Sequence, residues 1–350
     1  MTSSQCAGTA SQRLRIGLRV PPCRPIPDLV AFTHAVRDSG IDDVWFPDSQ
    51  LLWRDVFAVS AAVLRETADL GVGTAVTNLV TRHPSVVASA ARTVHEIDPG
   101  RFVLGVGVGN SSVGPVGLRP STNAALRDGL GTVRALLAGQ DVAFGGVSAR
   151  LRDAGNPVPL YIAASGPRNL RLAGEIADGA ILLSGVAPTL LADSTARIQE
   201  GGALANRERS VPVTVSAFCR VTDDVERDAR ELKPLCASIA RNGGAAALAA
   251  AGVHVQESEP IPDVYPDLVH AEDWEHAVRA CDSYVSDAAA VAFARTFCLY
   301  GTGAEIATRL EEIRLNGASA VLLQHVGSYD LPERLLADVP SAVLTQSSTK

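Results

Sequence analysis

The sequence predicts an α/β protein, a (β/α)8 TIM-type barrel with a helical insertion before the last strand. Strand-like and helix-like segments alternate with short loops, which is typical of a mostly parallel sheet with helices packed outside it. Eight strand-like segments can be counted, the number that closes such a barrel. With 350 residues and 47% hydrophobic content, the chain can bury one large core. The length alone would also fit two ordinary domains, so the alternation of elements decides for the barrel.

The barrel elements are predicted from short apolar runs, each followed by a segment with apolar residues at helical spacing. The predicted strands, in chain order, are 14–20, 43–46, 70–76, 101–107, 158–163, 179–183, 212–221 and 318–324. The predicted helices between and after them are 27–38, 56–66, 86–97, 123–138, 169–177 and 303–316.

Prolines and glycines fix several of these boundaries. Gly40 closes the first helix and Pro47 ends the second strand. Pro84 suits the first turn of the third helix, where its missing N–H costs nothing. After the fourth strand, glycines and prolines at 114–120 prolong the loop and delay the next helix.

The regular alternation of strands and helices is interrupted between 244 and 302. We interpret this segment as an insertion within the last β/α unit. It contains a Pro-rich loop at 257–266 and a predicted helix at 273–285. The insertion is either a cap over the active-site mouth or a peripheral helical hairpin or dimer contact. The domain prediction is therefore a disordered leader over 1–13, one barrel domain over 14–335 that contains the insertion, and a C-terminal tail over 336–350.

Composition excludes several classes of function. The net charge of −7 comes without a basic run, which argues against a surface for nucleic acid or anionic membrane. No run of about 18 apolar residues predicts a transmembrane helix, and the leader has no apolar core typical of a signal peptide. Six scattered cysteines without a CxxC pair suit reduced thiols in a cytoplasmic protein. No HxH, HExxH or GxSxG spacing occurs, so neither a metal site nor a serine hydrolase is expected.

The stretch 70–84 is the part around which the chain is organised. It begins as an apolar strand, becomes polar at Thr77 and Asn78 where a strand would meet a cavity, and passes into a helix at Pro84. Gly73 and the small residues after it contribute little packing. They indicate either a bulge or barrel corner, or a flat ring lying against this backbone.

The segments Gly73-Thr-Ala-Val-Thr-Asn78 and Thr81-Arg-His-Pro84 resemble the third strand and following loop of the bacterial-luciferase-like superfamily. The likeness is greatest to the coenzyme F420-dependent reductases typified by methylenetetrahydromethanopterin reductase. The resemblance implies a non-prolyl cis peptide at Ala75–Val76 behind the tricyclic ring of the cofactor. It also implies that Thr77 and Asn78 belong to the cofactor-binding segment.

The loop after the second strand, 48–54, resembles the ligand-facing loop of the same reductases. The resemblance implies that Asp48 contacts the deazaflavin ring and takes part in catalysis, and that Trp53 lines the substrate side. The alternative for Asp48 is a helix N-cap, and for Trp53 it is simple packing. Both alternatives stay open on sequence alone.

The run Gly105-Val-Gly-Val-Gly-Asn-Ser-Ser112 follows the fourth strand and could be mistaken for a dinucleotide fingerprint. Asn110 replaces the third glycine and no helix opens at once, so a Rossmann-type NAD site is rejected. The resemblance implies that Gly107, Gly109 and Asn110 touch the deazaflavin edge. Relatives commonly carry an acid at position 110 that is implicated in protonating the carrier, and here it is an amide.

The segment after the fifth strand, 163–169, opens a helix and supplies an anion site. Free N–H groups, close backbone approach at Gly166 and the cation of Arg168 favour a phosphate there. The resemblance implies that the cofactor phosphate binds at this point, with an ordinary capped helix as the alternative. The cofactor-binding candidates here are Ala164, Ser165, Gly166, Pro167 and Arg168, and Gly185 after the sixth strand would complete the pocket.

His325, after the eighth strand, is a weaker catalytic candidate, as are Arg19 and Arg220 near the ends of the first and seventh strands. A lone histidine or arginine at a strand end is more often structural. Each has to be judged by what surrounds it in the folded chain.

The predicted function is an F420-dependent oxidoreductase that transfers a hydride between the deazaflavin C5 and a small organic substrate. One alternative is an FMN-dependent luciferase-like monooxygenase. The other is a non-catalytic flavin- or F420-binding barrel, which Asn110 makes conceivable. The expected partner is a small-molecule substrate, with no nucleic acid and no membrane, and a homodimer is left open.

Overall fold

The computed structural model of the chain describes residues 13–208, 210–256, 264–327 and 329–341. The predicted leader lies outside the described residues apart from Arg13, and so do residues 342–350 of the predicted tail.

A closed parallel barrel forms the body of the protein. The barrel has eight strand positions, and β3 and β4 together occupy one of them. In order around the barrel the strands are β1, β2, β3 with β4, β5, β8, β9, β10 and β12, and β12 pairs again with β1. The predicted fold class is therefore confirmed. The strands are β1 Arg15–Arg19, β2 Asp43–Phe46, β3 Gly71–Thr74, β4 Thr77–Asn78, β5 Phe102–Gly107, β6 Val142–Phe144, β7 Val147–Ala149, β8 Leu160–Ala164, β9 Gly179–Leu182, β10 Val213–Val221, β11 Leu299–Gly301 and β12 Ala320–Gln324.

Helices surround the barrel and form the insertion. They are α1 Ile26–Asp38, α2 Val56–Glu66, α3 Pro84–His95, α4 Asn123–Leu137, α5 Pro167–Ile176, α6 Pro188–Leu204, α7 Val225–Asp228, α8 Lys233–Ile239, α9 Ala245–Ala250, α10 Trp274–Ala280, α11 Asp287–Phe297, α12 Gly303–Leu315 and α13 Glu333–Val339. Within the described residues, none of these helices is long and apolar enough to cross a membrane.

Alternating residues of each strand face either the helices or the barrel interior. In β1, Ile16 and Leu18 belong to the large core between strands and helices. Gly17 faces inward, because a Cβ placed there would lie 3.1 Å from the Trp45 ring. Arg19 shares this parity, so the strand aims it into the open end of the barrel.

Gly73 in β3 makes room for a tryptophan ring inside the barrel. A Cβ at Gly73 would lie 2.3 Å from the ring of Trp45, which fills the barrel interior together with Ile181 and Leu322. The flat ring against Gly73 is therefore the protein's own indole, and this part of the expectation for a bound ring is corrected. Only the segment beyond Thr74 is left for a ligand.

The insertion begins earlier than predicted. After β10 the chain enters α7, capped by Asp224, and runs through α11 before β11 adds to the edge of β10. The boundary at 244 is therefore wrong, and the insertion starts at Val225. It has its own core, in which Leu232, Leu235 and Phe293 are buried. The helix predicted over 273–285 ends at Ala280.

The hairpin of β6 and β7, the helix α6 and the helix α13 also lie outside the sequence prediction. An exposed hairpin of β6 and β7 precedes β8, turning at Gly145 and Gly146, both with positive φ. The helix α13 crosses the boundary drawn at 335, because Leu335 and Val339 pack into the main core.

Candidate active site

The carboxyl ends of all barrel strands lie at one face, which we call the mouth, because all these strands run parallel to one another. Asp48, Asn110 and Ser165 follow β2, β5 and β8 directly, and Ala75 follows β3. The structure therefore brings these four predicted residues to the same end of the barrel.

The floor of the mouth is the segment Ala75–Val76. The expected cis peptide lies between these two residues. Both are half-buried and pack against the interior cluster of Trp45, Ala163 and Ile181. This leaves a small apolar surface facing the open end of the barrel.

Glycines in β5 let this floor lie close to its neighbour. A Cβ at Gly105 would lie 2.0 Å from the carbonyl oxygen of Thr74, and one at Gly107 would lie 2.7 Å from Cγ2 of Val76. The Thr74 hydroxyl donates to the Gly105 carbonyl at 2.7 Å and accepts from its N–H at 2.9 Å. Gly107 therefore supports the floor from the side, whatever its contact with a ligand.

Asp48 is buried, and its carboxylate is fully engaged. Arg82 donates to it through Nε at 2.7 Å and Nη2 at 2.9 Å, and the Thr77 hydroxyl donates at 2.7 Å. The hydrogen bonds to Asp48 raise the pKa of Arg82 above its ordinary value. The N-cap of α2 is Asp55, so the alternative that Asp48 caps this helix is wrong.

Asn78 organises the turn between β4 and α3. Its side-chain oxygen accepts from the N–H groups of Val80 and Thr81, both at 2.9 Å, and its amide donates to the Ser112 hydroxyl at 3.0 Å. Thr77 and Asn78 are both buried. They hold the loop that carries Arg82 and present no free side-chain surface of their own.

Two hydrogen bonds tie the loop after β2 to the loop after β5. The hydroxyls of Ser49 and Ser111 lie 2.9 Å apart, and Gln50 donates to the Ser112 carbonyl at 2.7 Å. Asn110 stands beside this junction with an exposed side chain.

Gly109 turns the chain so that Asn110 lies beside the junction of the loops that follow β2 and β5. Its φ is +79°, and a Cβ would lie 3.0 Å from Cβ of Asn78. A larger residue would meet both an unfavourable conformation and the Asn78 side chain. Gly109 is therefore needed for the loop geometry.

The start of α5 is open. Its N-cap is Gly166, no side chain caps it, and a Cβ at Gly166 would meet nothing within 4 Å. Ser165, Pro167 and Arg168 are exposed, whereas Ala164 is buried at the end of β8. Exposed N–H groups beside an exposed guanidinium attract an anion, so the phosphate site stays a prediction, with an ordinary capped helix as its alternative.

Gly185 has a structural role in the loop after β9. Its φ is +101°, and a Cβ would lie 2.8 Å from Phe297 of the insertion and 2.9 Å from Leu190. The glycine lets the insertion approach the barrel at this point. Its expected part in a cofactor pocket stays a prediction.

Residues of the insertion and of the strand ends share a small cavity above β1, β10 and β12. The Trp53 and His270 rings meet edge to face at 5.2 Å, and the guanidinium of Arg19 lies 5.4 Å from the Trp53 ring centroid. The cavity lining comprises Arg19, Phe218, Leu235, Val269, His270, Trp274, Gln324, His325, Val326 and Gly327.

Sequence reasoning missed two polar residues of the mouth. Arg82 was noted only as part of a motif, and His270 only as part of the segment His270-Ala-Glu-Asp-Trp274. Placing either required knowing its partner, which is Asp48 for Arg82 and Trp53 for His270. Arg220, by contrast, pairs with Asp228 and Glu231 at the base of the insertion.

Burial changes two titrating groups of the cavity. It lowers the pKa of Arg19 to about 10. Burial, with the charge of Arg19 as the next cause, lowers the pKa of His325 to about 4, so this imidazole is neutral at pH 7. Within the described part of the chain, no group of His, Cys, Asp and Glu side chains could hold a metal ion.

Comparison with known proteins agrees with this arrangement. The profile of the luciferase-like monooxygenase family matches residues 3–320. An F420-dependent glucose-6-phosphate dehydrogenase of Beutenbergia cavernae is 32% identical over 285 residues, covering 75% of this chain and 83% of that protein. A 5,10-methylenetetrahydromethanopterin reductase of Methanolobus tindarius is 28% identical over 229 residues, covering 63% of this chain and 68% of that protein.

Among solved structures, the coenzyme F420 dependent tetrahydromethanopterin reductase of Methanopyrus kandleri has the same fold. It superposes with a TM-score of 0.69 at 20% identity, covering 96% of this chain and 99% of that one. From its sequence match and its barrel, the chain belongs to the luciferase-like monooxygenase family.

Proposed function

We propose that the protein is an F420-dependent oxidoreductase acting on a small organic substrate. The observation that carries this is the mouth itself, where an apolar floor at Ala75–Val76 shares one barrel end with the open start of α5. A flat ring joined to a phosphate-bearing tail needs both features. The curated relatives whose names include F420 support the same choice.

The residues present fit such a group. The floor offers apolar backbone and methyl groups, and Gly166 leaves room for a phosphate oxygen to reach the backbone N–H groups of α5. Arg168 adds an exposed cation. When bound, the cofactor would supply hydride chemistry at C5 of its deazaflavin ring.

The protein's own residues orient the reactants and hold the proton that the reaction transfers. The ion pair of Asp48 with Arg82 fixes the loop beside the floor, and Trp53 closes the substrate side against His270. Asn110 can donate a hydrogen bond but no proton. The neutral His325 can hold a proton at Nε2, which is buried and has no hydrogen-bond partner among the described residues.

Anaerobic titration of the purified protein with oxidised F420 and, separately, with FMN tests the proposal. We expect saturable F420 binding that is tighter than FMN binding, followed by turnover with at least one compound from a substrate panel. Strong FMN binding without F420 binding would refute it.

One observation favours a second candidate, an FMN-dependent monooxygenase, because the matching family is described as luciferase-like monooxygenase. Oxygen consumption with reduced FMN would identify it. The third candidate is a non-catalytic binding barrel, which agrees with Asn110 because an amide cannot donate a proton. Such a protein would bind a cofactor without turnover of any substrate.

We further propose a cytoplasmic location. Cys219, Cys236, Cys281 and Cys298 are all buried and free, which suits a reducing compartment. A homodimer stays an expectation, which sedimentation analysis of the purified chain would decide.

A further inference from the structure

The cavity above β1, β10 and β12 is lined by a cation, Arg19, that pairs with no carboxylate of the described residues. Among the described residues, Arg19 forms no ion pair, and its one hydrogen bond runs from Nε to the Ala75 carbonyl at 3.5 Å, which is long. Arg19 is half-buried, and a guanidinium that is partly withdrawn from water is stabilised when an anion meets it. The side chain is nevertheless held in place by β1 and by the Trp53 ring.

The carboxylates near the cavity are engaged with other groups. Asp267 accepts from Nδ1 of His270 at 3.0 Å and from the backbone N–H groups of Val269 and His270. Asp330 pairs with Arg24 at 3.3 Å, and Arg220 is paired with Asp228 and Glu231. Among the described residues none of these carboxylates pairs with Arg19, so its guanidinium can meet the anionic group of a ligand.

A second polar group in the same cavity, the imidazole of His325, is available for a hydrogen bond to a ligand. Nε2 of His325 is buried and has no hydrogen-bond partner in the described part of the chain. Its ring is neutral at pH 7, since burial and the charge of Arg19 lower its pKa to about 4. It can therefore accept a hydrogen bond from a hydroxyl, or donate one to a carbonyl in its other tautomer.

The rest of the cavity limits what can enter. The space is about 50 Å³, and Phe218, Leu235, Val269 and Val326 contribute apolar wall. A phosphate dianion would keep one charge unpaired beside Arg19 alone, and a sugar would need more polar contacts than this lining offers. One cation, one imidazole and an apolar wall suit a short monocarboxylate.

We propose that this cavity binds the carboxylate end of a short hydroxy acid, with Arg19 holding the carboxylate and His325 Nε2 the hydroxyl. Resting on the proposed function, this makes such an acid the substrate class, because Arg19 contacts the floor residue Ala75 on which the cofactor ring would lie. A bound acid would thus stand directly beside that ring.

Binding to the full chain without cofactor tests the proposal, measured by ligand-observed NMR. The probes are propionate, its 2-hydroxy derivative lactate, the neutral propionamide and inorganic phosphate. We expect lactate to bind best, propionate less well, and both about tenfold or more tighter than the amide. Equal binding of acid and amide, or stronger binding of phosphate, would overturn the assignment.

Variants separate the two contacts. Arg19→Gln should lose about tenfold or more in affinity for both acids, and Arg19→Lys should restore part of it. His325→Leu should abolish only the advantage of the hydroxy acid. The matched control is Arg65→Gln, on the exposed end of α2, which should bind like the parent. Thermal unfolding of each variant checks that it is folded.

Cofactor titrations of the same variants keep this proposal apart from the proposed function. If the acids bind as expected but F420 does not, the cavity assignment stands and the oxidoreductase proposal falls. If Arg19→Gln weakens F420 binding and leaves acid binding unchanged, the guanidinium serves the cofactor and the acid site is refuted.

Discussion

Replacing Arg82 with Met should destabilise the protein by about 2–3 kcal/mol. The side chain of Asp48 is 3% exposed and that of Arg82 19%, so the substitution leaves a buried carboxylate that keeps only its bond from Thr77. Removing one partner of a buried ion pair costs about 3–5 kcal/mol, and the partial exposure of Arg82 reduces this. Met retains the packing that the Arg82 stem makes on Phe57.

The matching change in melting temperature can be worked out. An unfolding entropy of about 2.1 cal/mol/K per residue gives about 0.7 kcal/mol/K for a chain of this length. The loss therefore corresponds to about 3–4 °C, measured by calorimetry. The control is Arg127→Met, which breaks an ion pair with Glu175 whose side chains are 41% and 27% exposed and should cost less than about 1 kcal/mol. Equal losses in the two variants would refute the view that Asp48 depends on Arg82.

Further substitutions test other parts of the mouth and barrel. Gly166→Val should weaken F420 binding and lower stability by no more than about 1 kcal/mol, because the added side chain meets only open space and only the N-cap preference for Gly is lost, as titration and calorimetry would show. Asn110→Ala should weaken cofactor binding and leave the pH profile of turnover unchanged, since an amide does not titrate. Gly73→Val should unfold the protein at lower temperature, because its Cβ would lie 2.3 Å from the Trp45 ring. Burial lowers the pKa of His325 to about 4, so the unfolded chain takes up this proton first and stability falls between about pH 6.5 and pH 4; His325→Leu should flatten this part of the pH dependence of melting.

The sequence predicted the barrel because its strands and helices are locally determined. The second strand, Asp43–Phe46, and the second helix, Val56–Glu66, match their predicted limits. Pro84 begins α3 as expected. Each of these boundaries is marked by a change in hydrophobic period or by a proline, so the information lies within a few residues of the boundary.

Contacts between distant residues could not be predicted in this way. The pairing of Asp48 with Arg82 and the packing of Trp45 on Gly73 join residues on separate strands or loops. In both cases the residue type fits several roles, and only the closed barrel selects one. The glycine therefore suggested a bound ring when it was making room for a tryptophan.

The elements that the sequence did not reveal carry weak local signals. The helix α6 is rich in small residues, and a Cβ at its Gly201 would lie 1.9 Å from the Arg171 carbonyl of α5. Its composition serves close helix packing and hides the amphipathic period. The hairpin of β6 and β7 is short and exposed, and the pair Gly145-Gly146 was the one signal that could have indicated it.

The placement of the polar groups bears on which direction of reaction the site suits. The carboxylate of Asp48 is held by Arg82, and Asn110 cannot release a proton, so neither group offers one to a substrate being reduced. His325 is half-buried and neutral at pH 7, and its buried Nε2 has no hydrogen-bond partner among the described residues, so it can accept a proton as a weak base whose pKa is lowered to about 4. Among these three groups one can accept a proton and none donates one, which favours removing a proton from a hydroxyl as the carbon that bears it is oxidised. Substrate oxidation should therefore depend on His325, whereas reduction would need a proton from water.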